Sequence, residues 1–145
     1  MKIEDYWQEF LVKNSLPKET RYIEAFKFGY TDKQADDLLL LVLEGKKKAT
    51  TSPYFEEDTY CKVGDYSIIL DSANEPRCVI KTTKSSFMRF NDMTFEVCKL
   101  EGEDECIETW IENHVAFLKE ACDEHNCLFS FDMPIIFEQF EVIYK

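Results

Sequence analysis

Three amines stand one alanine before three hydroxyls in the run Lys46-Lys47-Lys48-Ala49-Thr50-Thr51-Ser52. These are parts that acyl transfer asks for, because a hydroxyl can attack or orient water and an ammonium can hold a developing oxyanion. The residues before them say how they are positioned. Leu38-Leu39-Leu40-Leu41-Val42-Leu43 reads as the apolar end of a buried helix that begins after a Thr31-Asp32 cap and stops at Glu44-Gly45. Asp36 and Asp37 lie toward the positive end of its dipole and the lysines lie past the negative end, which by itself accounts for exposed lysines there. The hydroxyl residues that follow have strand propensity. A helix, a glycine turn and a strand thus bring amines and hydroxyls to the edge of a core, as one wall of a small polar pocket.

Other side chains could complete such a pocket. Tyr54, Phe55, Tyr60 or Trp7 could stack a base, while Lys47, Arg77 and Lys81 could contact phosphate or ribose. His114 shares an apolar helical stripe with Ile107, Trp110, Ile111, Leu118 and Ala121, the usual setting of a hydrogen-bonded core histidine. The six cysteines form no C-x-x-C pair, and the grouping of Cys122, His125 and Cys127, with His114, fits no common zinc spacing; no metal and no cofactor is expected.

The charge narrows the choice of partner. A formal net charge of −12 opposes non-specific binding to a long polyanion. The distribution is uneven: residues 1–52 carry nine basic and nine acidic side chains, whereas residues 95–125 carry ten acidic and two basic ones. A local basic face from Lys46, Lys47, Lys48, Arg77, Lys81, Lys84 and Arg89 stays compatible with that balance, so the expected partner is a nucleoside-like small molecule or a short RNA. No apolar run nears the roughly 20 residues that span a bilayer, and the first residues lack the apolar core of a signal peptide. A cytoplasmic location without membrane contact is the expectation.

The remaining pattern places the elements. Ile3, Tyr6, Trp7, Phe10 and Leu11 recur at helical spacing, and Pro17 bars continuation of that helix. Arg21 to Tyr30 reads as an irregular aromatic connection, and Pro53 to Lys62 as a loop able to cover a pocket. Val63-Gly64-Asp65 turns into a strand at Tyr66–Leu70, and a hairpin loop leads to a second strand at Arg77–Phe87 with one packed and one open face. A short helix at Thr94–Lys99, an acidic knot at Glu101–Glu105, a helix bearing Trp110 and His114, and a strand from Pro134 to Tyr144 complete the chain. Strands between helices without βαβ alternation indicate α+β, in one domain over 1–145 with an N-terminal helical extension at about 1–30.

The spacing Gly45-x-Lys47-x-x-Thr50 resembles the signature of the ASCH family, a branch of the PUA-like superfamily. Val63-Gly64-Asp65 and Glu101-Gly102-Glu103, followed by Trp110 and His114, extend the resemblance over most of the chain. Ser52 stands where many members carry an arginine. The resemblance implies a small PUA-like β-barrel with flanking helices, linked to RNA or modified nucleosides. It also implies either RNA recognition or amide hydrolysis of an acetylated cytidine such as N(4)-acetylcytidine, by an amidohydrolase whose Lys, Thr and Glu correspond to Lys47, Thr50 and Glu101. In that assignment Thr50 attacks or orients water. Lys47 is either a base or the stabiliser of the oxyanion, and Glu101 either orients the lysine or acts as base. Tyr54, Arg77, Lys81 and His114 would then contact substrate. A ribonuclease, a non-catalytic RNA-binding module and a protein-interaction module are the alternatives. The carried-over assignment requires Lys47, Thr50 and Glu101 to converge, with Lys46 and Lys48 turned to solvent.

Overall fold

A computed structural model describes all residues, 1–145. The elements run α1 (Ile3–Lys13), β1 (Glu24–Phe26), α2 (Asp32–Leu43), β2 (Ala49–Pro53), β3 (Tyr66–Leu70), β4 (Pro76–Arg89), α3 (Phe95–Cys98), α4 (Ile107–Glu124) and β5 (Pro134–Tyr144). The five strands form one curled sheet in the order β1-β3-β4-β5-β2, a half-barrel whose two edges are β1 and β2. The fold is thus α+β with flanking helices, and the expected small barrel takes the form of a half-barrel. No helix is long and apolar enough to cross a membrane.

Three apolar clusters cover the sheet. Trp7, Phe10 and Leu11 of α1 pack with Ile68 and Val79, while Leu39 and Val42 of α2 pack with Ile69, Cys78, Ile80 and Phe140. Trp110 and Leu118 of α4 bury Ala49, Ile135 and Phe137. The expected open face of β4 is therefore closed over its first half: Cys78, Val79 and Ile80 are all buried, because α1 covers one side of the sheet and α2 the other. The stretch read as an irregular connection contains β1, which pairs in parallel with β3 from Glu24↔Ser67 to Phe26↔Ile69. Three residues are too few to show an alternation, and only the neighbouring strand defines them.

The helix before the lysines begins and ends as its residues dictate. Thr31 accepts a hydrogen bond from the Gln34 backbone N–H, and Gln34 Oε1 accepts one from the Thr31 N–H, a reciprocal capping box. At the other end the Lys46 N–H bonds to Leu41 O at 2.9 Å and the Gly45 N–H to Val42 O at 3.0 Å, a Schellman closure that needs the left-handed φ of +77° at Gly45. The chain leaves this turn toward Gly102, whose φ is +71°. A Cβ on Gly102 would stand 2.2 Å from Lys46 O, so the backbone carrying Lys47 and the backbone following Glu101 touch through a missing side chain.

That close approach separates two glycine substitutions. Gly45→Ala meets open space and bears only the conformational strain, roughly 1 kcal/mol. Gly102→Ala adds a backbone clash and is expected to cost about 2–4 kcal/mol. Urea unfolding of the two variants measures the difference, and equal losses would contradict the contact.

Candidate functional site

Residues 46–48 precede the first residue of β2, and their burial alternates: Lys46 and Lys48 are exposed, whereas Lys47 is 2% exposed. The Lys48 N–H bonds to Leu100 O at 2.7 Å, which ties this segment to the 3₁₀ turn Lys99–Glu101. Lys47 Nζ donates to Ala49 O at 2.9 Å, to Glu101 Oε1 at 3.4 Å and to Glu103 Oε2 at 2.6 Å, and it lies 5.3 Å from the Phe28 ring centroid. Its three donors are thus all engaged, two of them by carboxylates.

Glu101 is the hinge of this network. Its Oε2 accepts from Thr51 Oγ1 at 2.9 Å and from Trp110 Nε1 at 2.6 Å, and it lies 3.4 Å from His114 Nε2. His114 Nδ1 faces Trp110 O at 2.8 Å, an arrangement that puts a proton on Nδ1. Burial pushes the Glu101 carboxyl up, but the His114 bond, the Lys47 charge and the Trp110 N–H outweigh it and hold the group down at about 2. Burial opposes a proton on His114, and its bond to the Glu101 carboxylate nevertheless raises its affinity for one. Glu103 moves the other way: burial, helped by the Glu101 charge, raises it against the pull of Lys47. Glu101 is therefore a saturated anion that fixes its neighbours. Glu103, whose side chain keeps 23% of its surface in solvent, is the more replaceable partner of Lys47.

Lys47, Thr50, Glu101 and His114 all line one cavity of about 770 Å³ in the gap between the two sheet edges β1 and β2, with α4 along its side. Phe28, Tyr30 and Phe117 supply aromatic surface. Six carboxylates line the wall against two lysines, Lys27 and Lys47. The local basic face is therefore absent from this cavity. Tyr54, Arg77 and Lys81 do not line it: Tyr54 packs on Tyr60 and Phe87, Arg77 pairs with Asp71 at 3.3 Å, and Lys81 lies over the Tyr66 ring on the side covered by α1. Trp7 is buried in the α1 cluster. Phe55, stacked on His125 at 3.7 Å, and Tyr60 belong to the loop after β2 and line a second cavity of about 400 Å³ that shares Glu24 and Glu138 with the first.

Sequence reasoning gave Thr51 no role apart from its hydroxyl neighbours and did not place Glu24 or Glu138 in a site. For Glu138 the signal was present. It interrupts the apolar series Ile136, Phe140, Val142 on one face of β5, where a carboxylate without a purpose is a poor choice. Burial, then repulsion from Glu24, raises Glu138 to about 7.

The comparisons with known proteins agree with the fold. The family model for the ASCH domain matches residues 24–144. A crystal structure of a DUF984 protein from Enterococcus faecalis V583 is similar at 32% identity, covering 98% of this chain and 88% of its own, with a TM-score of 0.89. An ASCH domain structure from Lactobacillus crispatus JV V101 is similar at 25% identity over 97% of this chain and 96% of its own, with a TM-score of 0.87. No curated protein matches.

The Glu101 network makes a pH prediction. The carboxyl is held near 2 in the fold and near its ordinary 4.5 when unfolded, so its contribution to stability is complete above 4.5 and is lost as pH falls through 2. Glu101→Gln should cost roughly 2–4 kcal/mol at pH 7 and flatten the loss of stability between pH 5 and 2. Chemical unfolding across that range checks both, and an unchanged acid limb would contradict the assignment.

Proposed function

This chain belongs to the ASCH domain family, of the PUA-like superfamily, and on that premise we propose that its cavity binds a modified nucleoside and hydrolyses an acylated exocyclic amine, as in N(4)-acetylcytidine. The observation that carries this reading is one buried lysine, Lys47, lining the same cavity as Thr50 among charges that are mostly negative. A phosphodiester chain brought to that wall would meet six carboxylates, and phosphate neutralisation is what drives polynucleotide affinity. A neutral nucleoside has no such penalty. Its base can lie against Phe28, Tyr30 or Phe117, and its hydroxyls and amide can meet the polar wall. The same argument disfavours a long RNA and a ribonuclease reading.

In the hydrolysis the Lys47 ammonium accepts the developing oxyanion, with the substrate oxygen replacing Glu103 as its third partner. Thr50 orients the attacking water. Glu101 serves as the positioning group that holds Lys47, Thr51 and Trp110, since an anion with this many donors is a weak base. A non-catalytic nucleoside-binding module is the second reading. It is favoured by the full engagement of all three Lys47 donors.

Turnover of a panel of acylated nucleosides, followed by release of the free amine, separates the two. Lys47→Met, assayed on protein whose fold circular dichroism verifies, should lower the rate constant on the order of a hundredfold or more, while Lys46→Ala and Lys48→Ala stay within about twofold of wild type. Equal losses from all three would indicate a diffuse basic patch, and saturable binding without release would select the binding module.

A further inference from the structure

An amide hydrolysis needs a group that takes a proton from water and gives one to the departing nitrogen. Glu101 is held as an anion by its donors and is poorly suited to do so. The sheet offers another carboxyl in a better place. In the antiparallel ladder of β2 and β5, Thr50 is the partner of Glu138, so both side chains leave the same face with Cβ atoms about 4.5–5.5 Å apart. Both line the same cavity as Lys47. No lysine, arginine or histidine pairs with Glu138.

We infer that Glu138 is the acid–base residue of this cavity, standing across the ladder from Thr50 and acting on the water that Thr50 orients. The inference rests on the hydrolytic reading above and names the residue that moves its proton. In the first step the Glu138 carboxylate takes one proton from water while the water oxygen bonds to the amide carbon, and the carbonyl π pair moves onto oxygen beside Lys47. In the second step the carbonyl re-forms and the C–N bond breaks with its pair on nitrogen. The protonated Glu138 then gives its proton to that nitrogen. The products are the free amine and a carboxylic acid, and Glu138 returns to its starting state.

The groups around Glu138 make the exchange fit neutral pH. Glu24 from β1 and Asp65 from the turn into β3 repel its charge, whereas the Cys61 thiol from the loop before β3 favours it, and none of the three carries positive charge. Burial first, then repulsion from Glu24, raises the carboxyl to about 7, so it is part ionised at neutrality.

The test is the pH profile of turnover for wild type, Glu138→Gln and Glu24→Gln, each checked for its fold by circular dichroism. Wild type should lose kcat/KM on the acid side of about pH 7. Glu138→Gln should lower kcat about a hundredfold or more with KM little changed. Glu24→Gln should move the acid limb to lower pH, a shift that a merely structural Glu138 would not show. If wild type hydrolyses an acylated nucleoside while Glu138→Gln keeps its rate, or the limb stays in place in Glu24→Gln, this inference falls and the hydrolytic reading stands. If wild type hydrolyses none, both fall together.

Discussion

A lysine ammonium buried to 2% exposure must be neutralised, and much of this site follows from that requirement. An unpaired charge at that depth would cost several kcal/mol, and breaking one partner away is correspondingly severe. Lys47 is met by Glu101 and Glu103, which lie more than fifty residues on in the chain, and by a carbonyl two residues away. Bringing those carboxylates in demands that two backbones touch. Gly102 allows the touch because it has no Cβ, and Gly45 turns the chain out of α2 at the right point. Trp110, His114 and Thr51 then hold Glu101 from its other oxygen, so α4 and the edge strand β2 join the same network.

The half-barrel supplies the room. Its sheet ends in two edges, β1 and β2, and a free edge exposes unpaired backbone groups that proteins cover or shorten. Here β1 has three residues and β2 has five, and the gap between them is flanked by α2 and α4. The candidate site's side chains come from the rims of that gap: Thr50 and Thr51 from β2, Glu24 from β1, and Lys47 and Glu101 from the turns that enter and approach β2. Strands carry Thr50, Thr51 and Glu24, and turns tied down by hydrogen bonds carry Lys47 and Glu101, around the space between the two edges.

Much of this was legible in the residues. The cap at Thr31, the stop at Gly45, the strand from Pro134 and the long helix through Trp110 are written in local chemistry, and the structure has each of them. The convergence of Lys47 with Glu101 was legible only through the family signature, because no local rule links residues 47 and 101. What stayed hidden depends on tertiary cover. Three residues of β1 show no period, and the burial of Val79 is decided by α1, far away in sequence. Arg77 and Lys81 are the right residue type for a ligand contact but belong to a strand region away from the cavity, and charge alone does not tell one side of a sheet from the other. Glu138 is the converse case, a break in an apolar series that is readable once the opposite strand is known to be β2.

On the proposed function the cavity takes a neutral nucleoside and repels phosphate, because six carboxylates face two lysines on its wall. The most direct measurement is kcat/KM for an acylated nucleoside against its 5′-monophosphate at low and high salt. The expected result is a preference for the nucleoside of about tenfold or more that narrows as salt screens the wall. A preference for the monophosphate, growing as salt is removed, would contradict it.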